Sequence, residues 1–210
     1  TLSFWFGTGR VFSYDWTQLT DWIYLSHSGQ MKGQFGYGIT LFAEDEFYKN
    51  ILFEDNYGLE ISFEKSFSKS ISFEIKPKFG TEIIRVDAPY QARNTGIALG
   101  IELKPSDEFK LNFRMDQSKS IRFENDEVVY SDMIARARFE YQAATFLNFR
   151  LVAQYHRYYD TFDIQPLISY QPGPFSIFYF GTSRSYDTSF PGWKESYGQI
   201  YLKVQKLFSF

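Results

Sequence analysis

Gln199-Ile200-Tyr201-Leu202-Lys203-Val204-Gln205-Lys206-Leu207-Phe208-Ser209-Phe210 closes the chain. Ile200, Leu202, Val204, Phe208 and Phe210 recur at every second position, and only Lys206 breaks the series. Gln199, Tyr201, Lys203, Gln205, Leu207 and Ser209 fill the alternate positions and are mostly polar or amphipathic. A period of two is the period of a β-strand with one apolar face. The termini of soluble domains tend to be polar and frayed. An apolar strand with an aromatic last residue departs from that habit.

The same alternation runs back through the chain. Phe35, Tyr37, Ile39 and Leu41 alternate with Gly36, Gly38 and Thr40; Ile71, Phe73 and Ile75 alternate with Ser72, Glu74 and Lys76. Phe109, Leu111, Phe113 and Met115 alternate with Lys110, Asn112 and Arg114; Leu147, Phe149 and Leu151 alternate with Asn148 and Arg150. Between 162 and 182 the pattern blurs. Leu167, Phe178 and Phe180 read as apolar residues on the second face, as if that face packed against a plug or another strand. The alternation predicts about eleven strands. Trp16–Gly29 stays ambiguous between a strand and a long connection. No helix-period segment and no low-complexity linker interrupts the series.

Composition agrees with two-faced strands. Phe, Tyr and Trp make up 21% of 210 residues, yet the mean hydropathy is −0.34. Many aromatics within a polar average require apolar residues on one face and polar ones on the other. The chain has no run of apolar residues long enough for a transmembrane helix, a test that membrane β-strands of about ten alternating residues escape. A net charge of −3 without a basic run gives no footprint for nucleic acid. The lack of cysteine excludes disulfides and thiolate metal sites.

Connection lengths carry further information. Short turns are expected at Ser66–Lys69, Pro105–Asp107, Gln142–Thr145 and Gln171–Pro174. Longer polar connections are expected near 47–56, 84–94, 117–128, 157–162 and 184–196. Aromatics collect toward both strand ends: Tyr130, Tyr158, Tyr159 and Trp193 at one, Phe67, Tyr141, Phe146, Tyr170 and Phe175 at the other. Short turns on one side, long ones on the other and two aromatic girdles are the layout of an antiparallel transmembrane β-barrel. Repeated strands of about ten residues also exceed the usual five or six of a soluble β-sandwich, the rival architecture. The expected fold is therefore all-β, an antiparallel transmembrane barrel in the bacterial outer membrane. Residues 1–210 read as the C-terminal part of one such domain, completed by strands upstream, because single-chain bacterial barrels close with an even number. In this class the assembly machinery reads an aromatic final strand, which makes Phe208 and Phe210 the expected assembly signal. Partners are then outer-membrane lipid, that machinery and, within a complex, another protein.

Two stretches carry a family resemblance. Asp163-Ile-Gln-Pro-Leu-Ile-Ser-Tyr-Gln-Pro-Gly-Pro-Phe-Ser-Ile-Phe-Tyr-Phe-Gly-Thr182 and Gln199–Phe210 resemble the C-terminal barrel of a Bacteroidota family of outer-membrane proteins. That barrel is a domain of unknown function, often linked to an N-terminal family-nine carbohydrate-binding domain. The resemblance implies a structural barrel with no catalytic residue, and an association with carbohydrate.

Candidate functional residues lie on the polar faces. Arg114, Arg136, Arg138 and Arg150 are expected to cluster on one sector of a lumen wall, and Glu60, Glu64 and Glu74 on another. Such sectors filter polar solutes, unless Asp116, Asp132 and Glu140 neutralise the arginines. The chemistry expected is passage of polar solutes, or anchoring and scaffolding for an extra-membrane domain or a protein complex, with no cofactor and no metal. A rim-active enzyme would use His156, near Asp160. No serine, carboxylate pair or second histidine completes a recognisable arrangement around it. Two histidines make an imidazole metal site a poor fit. The acidic stretch Glu44-Asp45-Glu46 with Glu54-Asp55 reads as a solvated loop before it reads as a calcium site.

Overall fold

The structure, a computed structural model, describes residues 1–206. Phe208 and Phe210, the expected assembly signal, lie outside the described residues. The strands are β1 (Leu2–Phe12), β2 (Gln18–Met31), β3 (Phe35–Tyr48), β4 (Ile51–Ser68), β5 (Ile71–Ile84), β6 (Tyr90–Leu103), β7 (Phe109–Arg122), β8 (Val128–Ala144), β9 (Leu147–His156), β10 (Thr161–Gly173), β11 (Ser176–Asp187) and β12 (Lys194–Lys206). They form one sheet in sequence order, each strand beside the next. This is the all-β, antiparallel, up-and-down plan on which β-barrels are built. The expected eleven strands become twelve: the ambiguous segment is β2, whose apolar positions Ile23 and Leu25 continue the alternation of β1.

By internal packing the residues fall into two compact units. The first comprises Thr1–Phe67, Phe73–Leu99 and Asp116–Ser131. The second comprises Ser68–Ser72, Gly100–Met115 and the chain from Asp132.

Register converts the alternation of each strand into rows across several. In the first unit Phe6, Leu25, Leu41 and Leu59 are consecutive partners across β1–β4. Phe4, His27, Ile39 and Ile61 form the row beside them. Two rows beyond Leu41, charge takes over with Arg10, Asp21 and Asp45, and Arg10 pairs with Asp21. The opposite face carries Trp5, Ser26, Thr40 and Glu60 in one row and Ser3, Ser28, Gly38 and Ser62 in the next. One face is thus an apolar band with a charged border; the other mixes small and polar residues with the rings of Trp5 and Tyr24. From Phe35 to Ala43 the apolar positions of β3 extend about 27 Å along the strand, at about 3.4 Å per residue. That matches the apolar band of about 25 Å on membrane barrels.

The second unit repeats the segregation. Tyr141, Phe149, Ile168, Phe180 and Leu202 form one apolar row across β8–β12. Phe178 and Phe180 therefore belong to the apolar face, partnered by Tyr170 and Ile168. They had read as second-face residues because Pro166 and the bulge between Tyr170 and Gly173 break the visible rhythm. Pro166 has no N–H to give a ladder, and β10 skips Gln165 and Pro166 in its pairing with β11. Leu167 does lie on the polar face. It is buried against Gly181, its cross-strand partner, over which the Tyr201 ring lies. Rings gather at the short-turn end: Phe146 meets Tyr170 at 5.9 Å and Tyr170 meets Phe178 at 6.2 Å.

The expected contrast between short and long connections is reduced. Residues 47–56 contain only the tight turn Lys49–Asn50 between strands that run on. Both residues have positive φ, 50° and 63°, the type I′ geometry that follows strand twist. A bulge between Glu44 and Glu46 absorbs the remaining length. The connection expected at 84–94 narrows to residues 85–89, and that at 117–128 to 123–127. Polar composition had marked strand ends as loops.

Candidate functional site on the polar face

Charged residues project from the polar face because each shares strand parity with small polar neighbours. In the second unit Lys110, Asn112 and Arg114 of β7 and Arg136, Arg138 and Glu140 of β8 line a recess of about 370 Å³. Every lining residue is two positions from the next on its strand, so six side chains from two strands share one face. Arg150 stands one strand further, opposite Glu140. Three of the four expected arginines thus meet in one recess, and Arg150 flanks it. Lys110 and Asn112 went unremarked as site residues. Their signal was parity, since both sit two-residue steps before Arg114.

Charge compensation within this group is uneven. Lys110 Nζ is 2.9 Å from Glu102 Oε2, and Arg138 pairs with Glu140 on its own strand. Arg114 is also engaged. Arg136 has a neutral cross-strand neighbour, Gln154, and among the described residues it meets no carboxylate. Arg150 Nε is buried without a hydrogen-bond partner among the described residues. Arg136 and Arg138 project from one face about 7 Å apart along the strand.

The expected acidic residues lie in the first unit, and each is locally matched. Glu60 Oε2 is 2.9 Å from Lys78 Nζ, and Glu74 Oε1 is 2.6 Å from Lys76 Nζ. Gln30 donates to Glu64 Oε1 at 2.8 Å. Glu64, Glu74 and Lys76 share a recess of about 280 Å³ with Ser3, Ser28 and Ser62. Exposed pairs of this kind contribute about 0–1 kcal/mol each. Here they serve to cancel charge along the wall.

His156 meets Asp132 and not the expected Asp160. Its Nε2 is 2.7 Å from Asp132 Oδ2, and its ring packs edge-on to Tyr159 at 4.6 Å. Asp132 is buried and accepts from the backbone N–H of Met133 at 2.7 Å and of Tyr158 at 3.1 Å. Asp160 instead closes the β9–β10 turn, donating its N–H to Arg157 O and accepting at its carbonyl from Thr188. The His156–Asp132 pair joins the end of β9 to β8, and among the described residues no hydroxyl is bonded to His156.

The acidic stretch is used structurally. Glu46 holds Arg85 in a two-pronged ion pair at 2.8 and 2.9 Å, and Arg85 lies over the Tyr48 ring at 4.8 Å. Asp45 Oδ1 accepts the Asp55 N–H at 2.9 Å. These contacts tie β3 to β4 and to Arg85 through three carboxylate oxygens of the stretch.

No family model matches the chain, and no curated protein matches it. Among solved structures, the chain is similar to one described as the CymD monoaromatic hydrocarbon channel. The two share 10% identity over 96% of this chain and 78% of that chain, with a TM-score of 0.41.

Proposed function

We propose that this chain is an integral outer-membrane β-barrel protein whose polar face passes polar solutes. One observation carries the reading: the large apolar side chains form continuous rows that the fold leaves uncovered. Phe4, Leu41, Tyr57, Phe180 and Leu202 are all exposed, while among the described residues Phe53, Ala92, Ala98, Val152 and Leu167 are the buried apolar ones. A soluble monomer rarely exposes contiguous apolar patches beyond a few hundred Å². Lipid is the solvent that such rows fit, and strands closed into a barrel satisfy the backbone there as helices do. Among the described residues no helix is long and apolar enough to cross a membrane, so strands would do the crossing. The wall of small residues, amides and ion pairs gives a solute polar contacts along its path.

A second reading has its own support. The matched pairs Glu60–Lys78, Glu74–Lys76 and Lys110–Glu102 fit a narrow, self-neutralised interior serving as an anchor or scaffold. On this reading, the resemblance to the Bacteroidota family implies an anchor for a carbohydrate-binding domain. Conductance in planar bilayers separates the two readings. Stepwise currents from purified protein support passage; a silent, folded protein supports the anchor.

A further inference from the structure

We propose that the recess between β7 and β8 is a binding site for small organic anions bearing carboxylate or phosphate groups. The proposal deepens the passage reading by naming a solute class, and it rests on that reading only for the route by which the solute arrives.

The lining supplies four cations, one carboxylate and one amide: Lys110, Arg114, Arg136, Arg138, Glu140 and Asn112. Lys110 and Arg138 have carboxylate partners, and Arg114 is engaged as well. Arg136 remains uncompensated among the described residues, with neutral Gln154 across from it. Glu140 is shared, being bonded to Arg138 and set opposite Arg150 in register. The recess therefore keeps a surplus of positive charge even after every internal pairing is counted.

Shape and chemistry point the same way. About 370 Å³ falls in the range of small-molecule sites, about 300–1,000 Å³. Arginine presents a planar fork of donors that matches carboxylate and phosphate two bonds at a time. Two forks from Arg136 and Arg138, on strand positions about 7 Å apart along the backbone, suit a solute with two or more anionic groups. Asn112, between Lys110 and Arg114 on the same face, adds a donor and an acceptor for a hydroxyl of the solute. The recess on β1–β5 provides a contrast. It is lined by serines, Glu64 and Glu74, with Lys76 as its only side-chain cation among the described residues, and has no surplus for an anion.

The test uses the purified chain in detergent, titrated calorimetrically with citrate and with inorganic phosphate, and with glycerol as the uncharged control. Saturable citrate binding is expected, with glycerol silent. In R136Q/R138Q the affinity should fall at least about tenfold, the loss expected when charge-assisted contacts are removed. R136K/R138K should recover part of it. Circular dichroism and trypsin resistance establish that each variant is folded, and R136Q alone, which leaves the Arg138–Glu140 pair in place, should still weaken binding. Absence of saturable citrate binding, or equal affinity in R136Q/R138Q, overturns the proposal. Bilayer currents keep the two readings apart. A silent protein that binds citrate through these arginines overturns passage and leaves the site standing. A conducting protein whose citrate affinity ignores the arginines overturns the site and leaves passage standing.

Discussion

Gly80 marks a point where the sheet tolerates no side chain. A Cβ there would press on the Tyr57 carbonyl oxygen and come within 2.8 Å of Gly58 Cα. Both are backbone atoms, so neither can rotate away. Gly80→Ala should cost about 1–3 kcal/mol, the usual range for overpacking. Gly173→Ala, where nothing lies within 4 Å, should be near neutral; urea unfolding in lipid vesicles compares the two. Asp15 offers a pH-dependent counterpart in the β1–β2 connection. Its carboxylate accepts first from the Ser13 hydroxyl and then from the Thr17 N–H, and these bonds hold its pKa below the ordinary aspartate value. A lowered folded-state pKa means the contribution is present above the unfolded pKa and is lost as pH falls through the folded one. An NMR titration should give Asp15 a midpoint below that of an unstructured aspartate, and Ser13→Ala should raise it. Neither residue was legible as special in the sequence. Gly80 matters through a neighbouring strand and Asp15 through a turn closed by Trp16 at φ 65°. His156 was legible as polar-face and rim-placed, but its partner Asp132 lies 24 residues away and needed the β8–β9 hairpin to reach it.

At the scale of the strand, parity was the strongest signal, and it placed most of the site. Arg114, Arg136 and Arg138 could be brought together from sequence because alternation fixes the face and neighbouring strands fix proximity. Strand ends were harder to see. Glu44, Glu46 and Glu54 looked like loop residues, yet they extend β3 and β4, since an ion pair with Arg85 and a bulge offset their polarity. The same parity makes a sharp test of the membrane reading. Leu41 sits mid-row between Leu25 and Leu59 and is 45% exposed. On a solvated surface Leu41→Arg would cost little. At the midplane of a bilayer it should cost about 2–4 kcal/mol, whereas Thr40→Arg, one residue earlier and facing the other way, should be far milder. Folding into vesicles, followed by denaturant titration, measures the difference; equal costs for the two would argue that the apolar rows face water.

At the scale of the molecule, exposed surface is the quantity that bears on the membrane reading. A folded soluble monomer of 24.8 kDa exposes about 10,000 Å² by the usual scaling with mass, whereas this chain exposes 14,408 Å². The excess is what strands create when they pair edge to edge and bury few side chains between layers. Hydrophobic burial within the fold is correspondingly small: among the described residues Phe53, Val152 and Leu167 are the largest buried apolar ones. On the proposed membrane reading, stability comes from two sources, the ladder of backbone hydrogen bonds and transfer of the apolar rows out of water. A bilayer or detergent would supply the second, at about 25 cal/mol for each Å² of apolar surface covered. Expressed with an export signal in a Gram-negative host, the protein should remain in the membrane pellet after alkaline carbonate and enter solution only with detergent. Refolding from urea should likewise succeed in detergent micelles or vesicles and fail in buffer. Recovery of a folded monomer from the carbonate supernatant would mean that the exposed rows are covered by something other than lipid, and passage across a membrane would lose its footing.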